Sequence, residues 1–235
     1  IQNKIKAMTD MWLQTNASER AYFDKLTWPI SPINQNGKIK GFLMPYIEPK
    51  EHLNINVFYE IVLKKKIRNK NILALTNLFE IIKNLSKLIN FLHKKNIYIV
   101  DLKPQNIQIS VKDLSITLLD CDGFSIKTIS GQSFPADMYS MDYIAPEAIR
   151  NKIKPMSLGE PQDRYAMAVL FFQLLNGGIH PYQGVLSSPD KSLSTNDERG
   201  SAGLYPYGSV SNGKIKVHPY SIHKFYPHEL IKFFE

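Results

Sequence analysis

The segment Asp101-Leu-Lys-Pro-Gln-Asn106 constrains this chain more than any other. It sets an acid, a lysine and an amide in one short loop, between a long amphipathic helical pattern and a hairpin pattern. In that setting the acid can accept a hydroxyl proton, the lysine can neutralise a phosphate and the asparagine can hold a metal ion. That set suits phosphoryl transfer. Fourteen residues after Asn106, beyond the run Ile116-Thr117-Leu118-Leu119, Asp120 supplies a second candidate metal ligand. Ala145-Pro146-Glu147 follows. Alone, the spacing of Asp101, Lys103 and Asn106 is that of an ordinary surface loop; the order of all three elements is what makes it specific.

Hydrophobic periodicity divides the rest of the chain. Ile5, Met8 and Trp12 recur at helical spacing over residues 2–14, and the polar stretch 15–27 reads as a loop. Trp28-Pro29-Ile30 and residues 38–46 read as two strands around a turn at Asn34-Gln35-Asn36-Gly37, the one β-rich part before the polar loop. Leu75, Leu78, Phe79, Ile82, Leu85, Ile89 and Leu92 mark one face of a helix over 71–93, and that stripe is read as core. Residues 106–120 read as a hairpin, with Ile107 and Ile109 on one strand and Ile116 to Leu119 on the other. The segment 121–147 reads as a loop punctuated by Gly, Ser and Pro. Residues 166–175 form a helix apolar all round, hence buried, and Gly177-Gly178 stops it. Residues 184–222 read as an irregular excursion, with Tyr205-Pro206-Tyr207 packing back on the body.

Composition excludes several classes. One cysteine, Cys121, rules out an intrachain disulfide and any cysteine-based zinc site, and leans towards a reducing, cytoplasmic compartment. No apolar run reaches the roughly 18 residues of a membrane span, and no secretory signal is visible. The formal charge is +8. Its densest run, Lys64, Lys65, Lys66, Arg68 and Lys70, lacks interleaved aromatics and reads as a solvated face rather than a nucleic-acid patch. The six histidines show no metal-ligand pattern, and His93 and His180 read as packing or capping residues. Ser125, Thr128, Ser130 and Ser133 read as ordinary loop hydroxyls.

From about residue 28 to 183 the chain resembles a protein kinase from the hinge through the large lobe. The resemblance implies an α+β, protein-kinase-like fold: residues 1–47 as the end of the small β lobe and hinge, and 48–235 as the α-helical large lobe with its C-terminal end incomplete. It implies ATP-dependent, Mg²⁺-assisted phosphoryl transfer to Ser or Thr hydroxyls of a protein substrate. Asp101 becomes the base, Lys103 the partner of the transferred phosphate, and Asn106 and Asp120 the metal ligands. Met44 becomes the gatekeeper, the backbone of Pro45, Tyr46 and Ile47 faces adenine, Glu51 reaches the ribose, and Gln108 lies on the adenine floor. Ser140 stands where Ser/Thr-specific kinases contact the catalytic loop, and Asp163 is expected to hold that loop's backbone. Trp28-Pro29, Gly41-Phe-Leu-Met-Pro45, Asp120-Cys-Asp-Gly-Phe124 and Gly178-Ile-His-Pro-Tyr182 are similar to bacterial kinase-like proteins with helix-hairpin-helix segments. That group implies stress- or tellurite-resistance operons with phosphatase and von Willebrand-type partners.

The sequence departs from the family's pattern in four places. Ile99-Val100 replaces His-Arg before Asp101, so activity is not expected to need phosphorylation of the following segment. Cys121-Asp122 replaces Phe-Gly after Asp120. Gln108 replaces an apolar residue. No Gly-rich loop or ATP lysine precedes the hinge: Lys4 and Lys6 sit in a helical pattern, so those parts are expected before Ile1 and the partner arginine of Glu147 beyond Glu235. These departures feed an alternative reading, a pseudokinase acting as a nucleotide-sensing scaffold.

Overall fold

The computed structural model describes residues 2–64, 75–210 and 213–235, with the side chains of 60–64 left aside. Helix α1 (Gln2–Leu13) is followed by α2 (Ala17–Phe23), inside the stretch expected to be loop. The missed signal is Asn16-x-x-Glu19. The Asn16 side chain accepts from Glu19 N at 3.1 Å, and the Glu19 carboxylate accepts from Asn16 N at 3.3 Å. Two donors at the helix start are thereby satisfied reciprocally.

Strands β1 (Ser31–Gln35) and β2 (Lys38–Leu43) form the expected hairpin. Its turn residues Asn36 and Gly37 both take positive φ, +52° and +70°, as a two-residue turn matching strand twist requires. Trp28 is not in a strand. It is fully buried, and its indole N–H donates to Met8 O at 2.9 Å, fastening the β1 approach to α1. Two further short strands precede the polar loop, β3 (His52–Asn54) and, after α3 (Ile55–Lys64) and α4 (Leu75–Lys94), β4 (Ile97–Tyr98). The basic positions 65–70 and residues 71–74 lie outside the described residues. On α4 the buried stripe is Leu78, Ile81, Leu85, Leu88, Ile89 and Leu92. Leu75 and Phe79, expected inside, are exposed, because the face that meets the core is centred on Ile81, Leu85 and Leu88.

Downstream, β5 (Ile107–Ser110) and β6 (Ile116–Leu118) form the expected hairpin, and β3 adds to its edge. The expected loop after Asp120 contains β7 (Ser125–Lys127) and β8 (Ser133–Phe134), joined to β4 in the order β4-β7-β8. Helix α5 (Pro146–Arg150) leads to α6 (Glu160–Leu175), buried on nearly all sides as its composition requires. The excursion after α6 is partly regular. β9 (Gly184–Leu186) pairs with β10 (Ile215–Val217), enclosing α7 (Asn196–Ser201), and α8 (His228–Phe233) follows. Tyr207 does pack back, 4.9 Å from Phe172 of α6 between ring centroids.

One core joins Ile5 and Met8 of α1, Phe23 of α2, the α4 stripe, the β5–β6 hairpin and Leu170 and Leu174 of α6. Among the described residues no helix is long and apolar enough to cross a membrane. Gly178, three residues past the end of α6, sits at φ +80°, and a Cβ there would lie 2.8 Å from Tyr59 Cβ. Gly178→Ala is therefore expected to cost about 1–3 kcal/mol through backbone strain alone. Urea denaturation checks this, and an unchanged midpoint would contradict the packing described.

Candidate functional site

The site is built from α6 outward. Pro161 opens the helix, and Asp163, in its first turn, is fully buried. The Asp163 carboxylate accepts from Ile99 N at 2.8 Å and from Val100 N at 2.7 Å. His93 Nε2, at the end of α4, lies 2.9 Å from the same carboxylate. Three elements meet at one buried anion. The backbone it holds is unusual: Val100 is buried and sits at φ +63°, a conformation that β-branched residues avoid. It directs the chain so that Asp101 N donates back to Ile99 O at 2.7 Å.

Asp101 and Lys103 then pair, Nζ to Oδ2, at 2.5 Å, with side chains 16% and 24% exposed. Lys103 Nζ also donates to Ser140 Oγ at 3.1 Å, tying the loop to the segment ahead of α5. The other oxygen of Asp101, Oδ1, is buried and has no hydrogen-bond partner among the described residues. A buried acceptor without a donor is costly, and the residue that carries it lines a cavity. Asn106 closes the turn 104–106, and its Nδ2 lies 3.4 Å from Asp101 O. Asn54 of β3, which the sequence did not mark, donates to Pro104 O at 2.9 Å and Gln105 O at 3.3 Å, holding the same turn from the other side. Leu119 N donates to Asn106 O at 2.9 Å, bringing the end of β6 beside it. Asp120 follows at φ +59°.

A cavity of about 300 Å³ is lined by Ile99, Asp101, Asn106, Asp120, Asp122, Gly123, Phe124, Asp137 and Met138. Asp101, Asn106 and Asp120 thus line one cavity, and Lys103 joins them through its ion pair. Asp122 and Asp137 are additions. Lys4 of α1 faces these two: burial lowers its ammonium from the ordinary value, while Asp137 and Asp122 pull it back up. Cys121, between Asp120 and Asp122, points inward instead. Burial pushes its thiol up to about 12 against the hydrogen bond from Thr27, so it is no nucleophile. Among the described residues no three His, Cys, Asp or Glu side chains gather as a metal-binding group. A magnesium ion is ordinarily held by one or two carboxylates, with water and substrate phosphates completing its shell. Asn106 and Asp120 on one cavity wall fit that requirement.

The hinge candidates lie apart. Met44, Pro45, Tyr46 and Ile47 follow β2 in coil, with Met44 52% and Tyr46 80% exposed, and Glu51 is exposed in the turn before β3. Gln108, half-buried on β5, stands between Asn54 and Thr117 in the sheet. None of these six lines the cavity. A larger groove of about 510 Å³ runs between α1 and residues 128–132, and carries none of the site residues above.

Residues 41–201 match the family model described as the protein kinase domain. The chain is 37% identical over 91 residues to Developmentally-regulated protein kinase 1 of Dictyostelium discoideum, covering 39% of this chain and 12% of that protein. It is 25% identical over 178 residues to Protein kinase YegI of Escherichia coli strain K12, covering 72% and 26%. It is 31% identical over 107 residues to Death-associated protein kinase related of Drosophila melanogaster, covering 42% and 14%. The matched stretch is thus about a quarter or less of each relative's length.

Replacing Asp163 by Ala leaves two buried N–H groups without an acceptor, at about 1–3 kcal/mol each. The expected loss is about 3 kcal/mol in a urea titration. A loss below about 1 kcal/mol, the size of an ordinary hydrogen bond, would contradict the anchoring.

Proposed function

The chain belongs to the protein kinase domain family, and from that premise we propose that it transfers the γ-phosphoryl group of ATP to a Ser or Thr hydroxyl of a protein substrate, assisted by Mg²⁺. The observation that carries this reading is that Asp101 shares a cavity wall with Asn106 and Asp120 while its Oδ1 has no hydrogen-bond partner among the described residues. A substrate hydroxyl placed there gives Oδ1 the donor it lacks. As the new O–P bond forms and the bond to the ADP oxygen breaks, the hydroxyl proton passes to Asp101. The second oxygen, held by Lys103 Nζ, fixes the carboxylate's orientation.

Lys103 has a double duty in this reading. Its ammonium already bridges Asp101 and Ser140, so it orients the acid, marks the acceptor side and offers a positive charge to the transferred phosphate. Ser140 supports specificity for Ser and Thr acceptors. Asn106 and Asp120 are the residues to hold Mg²⁺, which when bound neutralises phosphate charge. Met44 as gatekeeper, the backbone of Pro45, Tyr46 and Ile47 towards adenine, Glu51 towards ribose and Gln108 on the adenine floor complete the proposed nucleotide site. Residues 1–47 are proposed as the end of the small lobe with the hinge, and 48–235 as large lobe.

One observation favours the alternative of a nucleotide-sensing scaffold without turnover: Met44 and Tyr46 are open to solvent and do not line the cavity of about 300 Å³ that Asp101 lines. Phosphate transfer from labelled Mg-ATP by the full-length protein separates the two. Asp101→Asn is expected to lower transfer by about 10²–10⁴-fold, the usual contribution of a positioned base, with Mg-ATP binding retained. Asp120→Asn is expected to lose both. Transfer at the wild-type rate in either variant would overturn the assignment.

A further inference from the structure

Between Asp120 and Ser140 the chain folds back as a hairpin held by backbone pairing. β7 pairs with β4 through Ile97↔Ile126 and Tyr98↔Ser125, and β8 pairs with β7 through Ile126↔Phe134 and Lys127↔Ser133. Among the described residues, no ion pair within 4.0 Å involves residues 121–139. The β7–β8 turn is closed by two backbone bonds and by one hydroxyl. Thr128 Oγ1 lies 3.0 Å from Gln132 N, 3.2 Å from Gln132 O and 2.9 Å from Ser130 Oγ. Thr128 N also donates to Gln132 O at 2.9 Å, and Gly131, at φ +87°, donates to Thr128 O at 2.9 Å.

A threonine hydroxyl has one proton and two lone pairs. The assignment that uses all three sends its proton to the Gln132 carbonyl and receives the Gln132 amide and the Ser130 hydroxyl. The Thr128 oxygen is then saturated, and losing or esterifying the hydroxyl removes these three bonds and leaves the turn to its two backbone ones. From β8 the chain runs directly to Asp137 and Met138 on the cavity wall and to Ser140 on Lys103.

Resting on the phosphotransfer reading above, we propose that Thr128 is the positioning residue of this segment. Its free hydroxyl closes the hairpin that carries Asp137, Met138 and Ser140 to the site, so the acceptor side is set without phosphorylation of residues 121–139. The closed turn takes the part that a charged clamp would otherwise play.

The test compares full-length wild type, Thr128→Val and Thr128→Ser by amide hydrogen exchange, by kcat/KM for a peptide acceptor and by Kd for Mg-ATP. Thr128→Val keeps the volume and removes the hydroxyl. It is expected to speed exchange of the Gln132 amide and to lower acceptor kcat/KM, each by about 10-fold, the scale of one hydrogen bond. Mg-ATP binding is expected to stay unchanged. Thr128→Ser is expected to restore both, and phosphatase-treated wild type to transfer at the untreated rate. The proposal is overturned by wild-type exchange in Thr128→Val, by faster exchange with undiminished acceptor kcat/KM, or by loss of transfer after phosphatase treatment. If wild type transfers no phosphate, that failure falls on the kinase reading. The exchange comparison then decides alone: faster in Thr128→Val and restored in Thr128→Ser supports the clamp, and no difference sinks it.

Discussion

The buried carboxylate of Asp163 is the interaction on which the site depends. An isolated buried anion is prohibitively costly, and this one is satisfied by two backbone amides and His93. Hydrogen bonds from amides to an ion contribute about 1.5–3 kcal/mol each. They act against the strain of Val100 at φ +63°, which costs on the order of 1–3 kcal/mol. The balance explains why a β-branched residue can persist in a left-handed conformation there. It also explains why Asp101, one residue later, leaves the apolar core and reaches the cavity. Helix α6 acts as a post, and its apolar faces fix the post in the core.

A second consequence is electrostatic. The chain carries a formal +8, yet its candidate site is lined by Asp101, Asp120, Asp122 and Asp137. Acids gathered in a cleft repel one another unless cations join them. Lys103 pairs with Asp101 on one side and Lys4 faces Asp122 and Asp137 on the other. A net positive chain thus carries an acid-lined site, so the net charge is a poor guide to it.

Much of this was legible in the sequence, and the reasons differ by element. The α4 pattern is long and strongly periodic and α6 contains a continuous apolar run stopped by glycines, so both helices were legible, although Leu75 and Phe79 turned out exposed while Ile81 and Leu88 lie inside. The β5–β6 hairpin was legible because its partners are close in sequence. Strands β3, β4, β7 and β8 were not: each is two or three residues long, too short to show a period, and β3 and β4 pair with partners far away in sequence. Helix α2 announced itself only through the pair Asn16 and Glu19, easily lost in a polar stretch. Within the site, Asp101, Lys103, Asn106 and Asp120 were visible as a pattern of chemistry. Asn54 was not, because its role is to satisfy carbonyls fifty residues away. Lys4 faces the acids only through the packing of α1.

The most direct measurement is kcat for phosphate transfer by the full-length protein carrying Asp163→Asn, under conditions where both proteins are folded by circular dichroism. The amide can accept one of the two loop N–H bonds but presents a donor to the other. If the buried anion aims Asp101, kcat falls by about 100-fold, in the range lost when a general base is mispositioned, while Kd for Mg-ATP is unchanged. A folded Asp163→Asn protein with wild-type kcat would contradict the account.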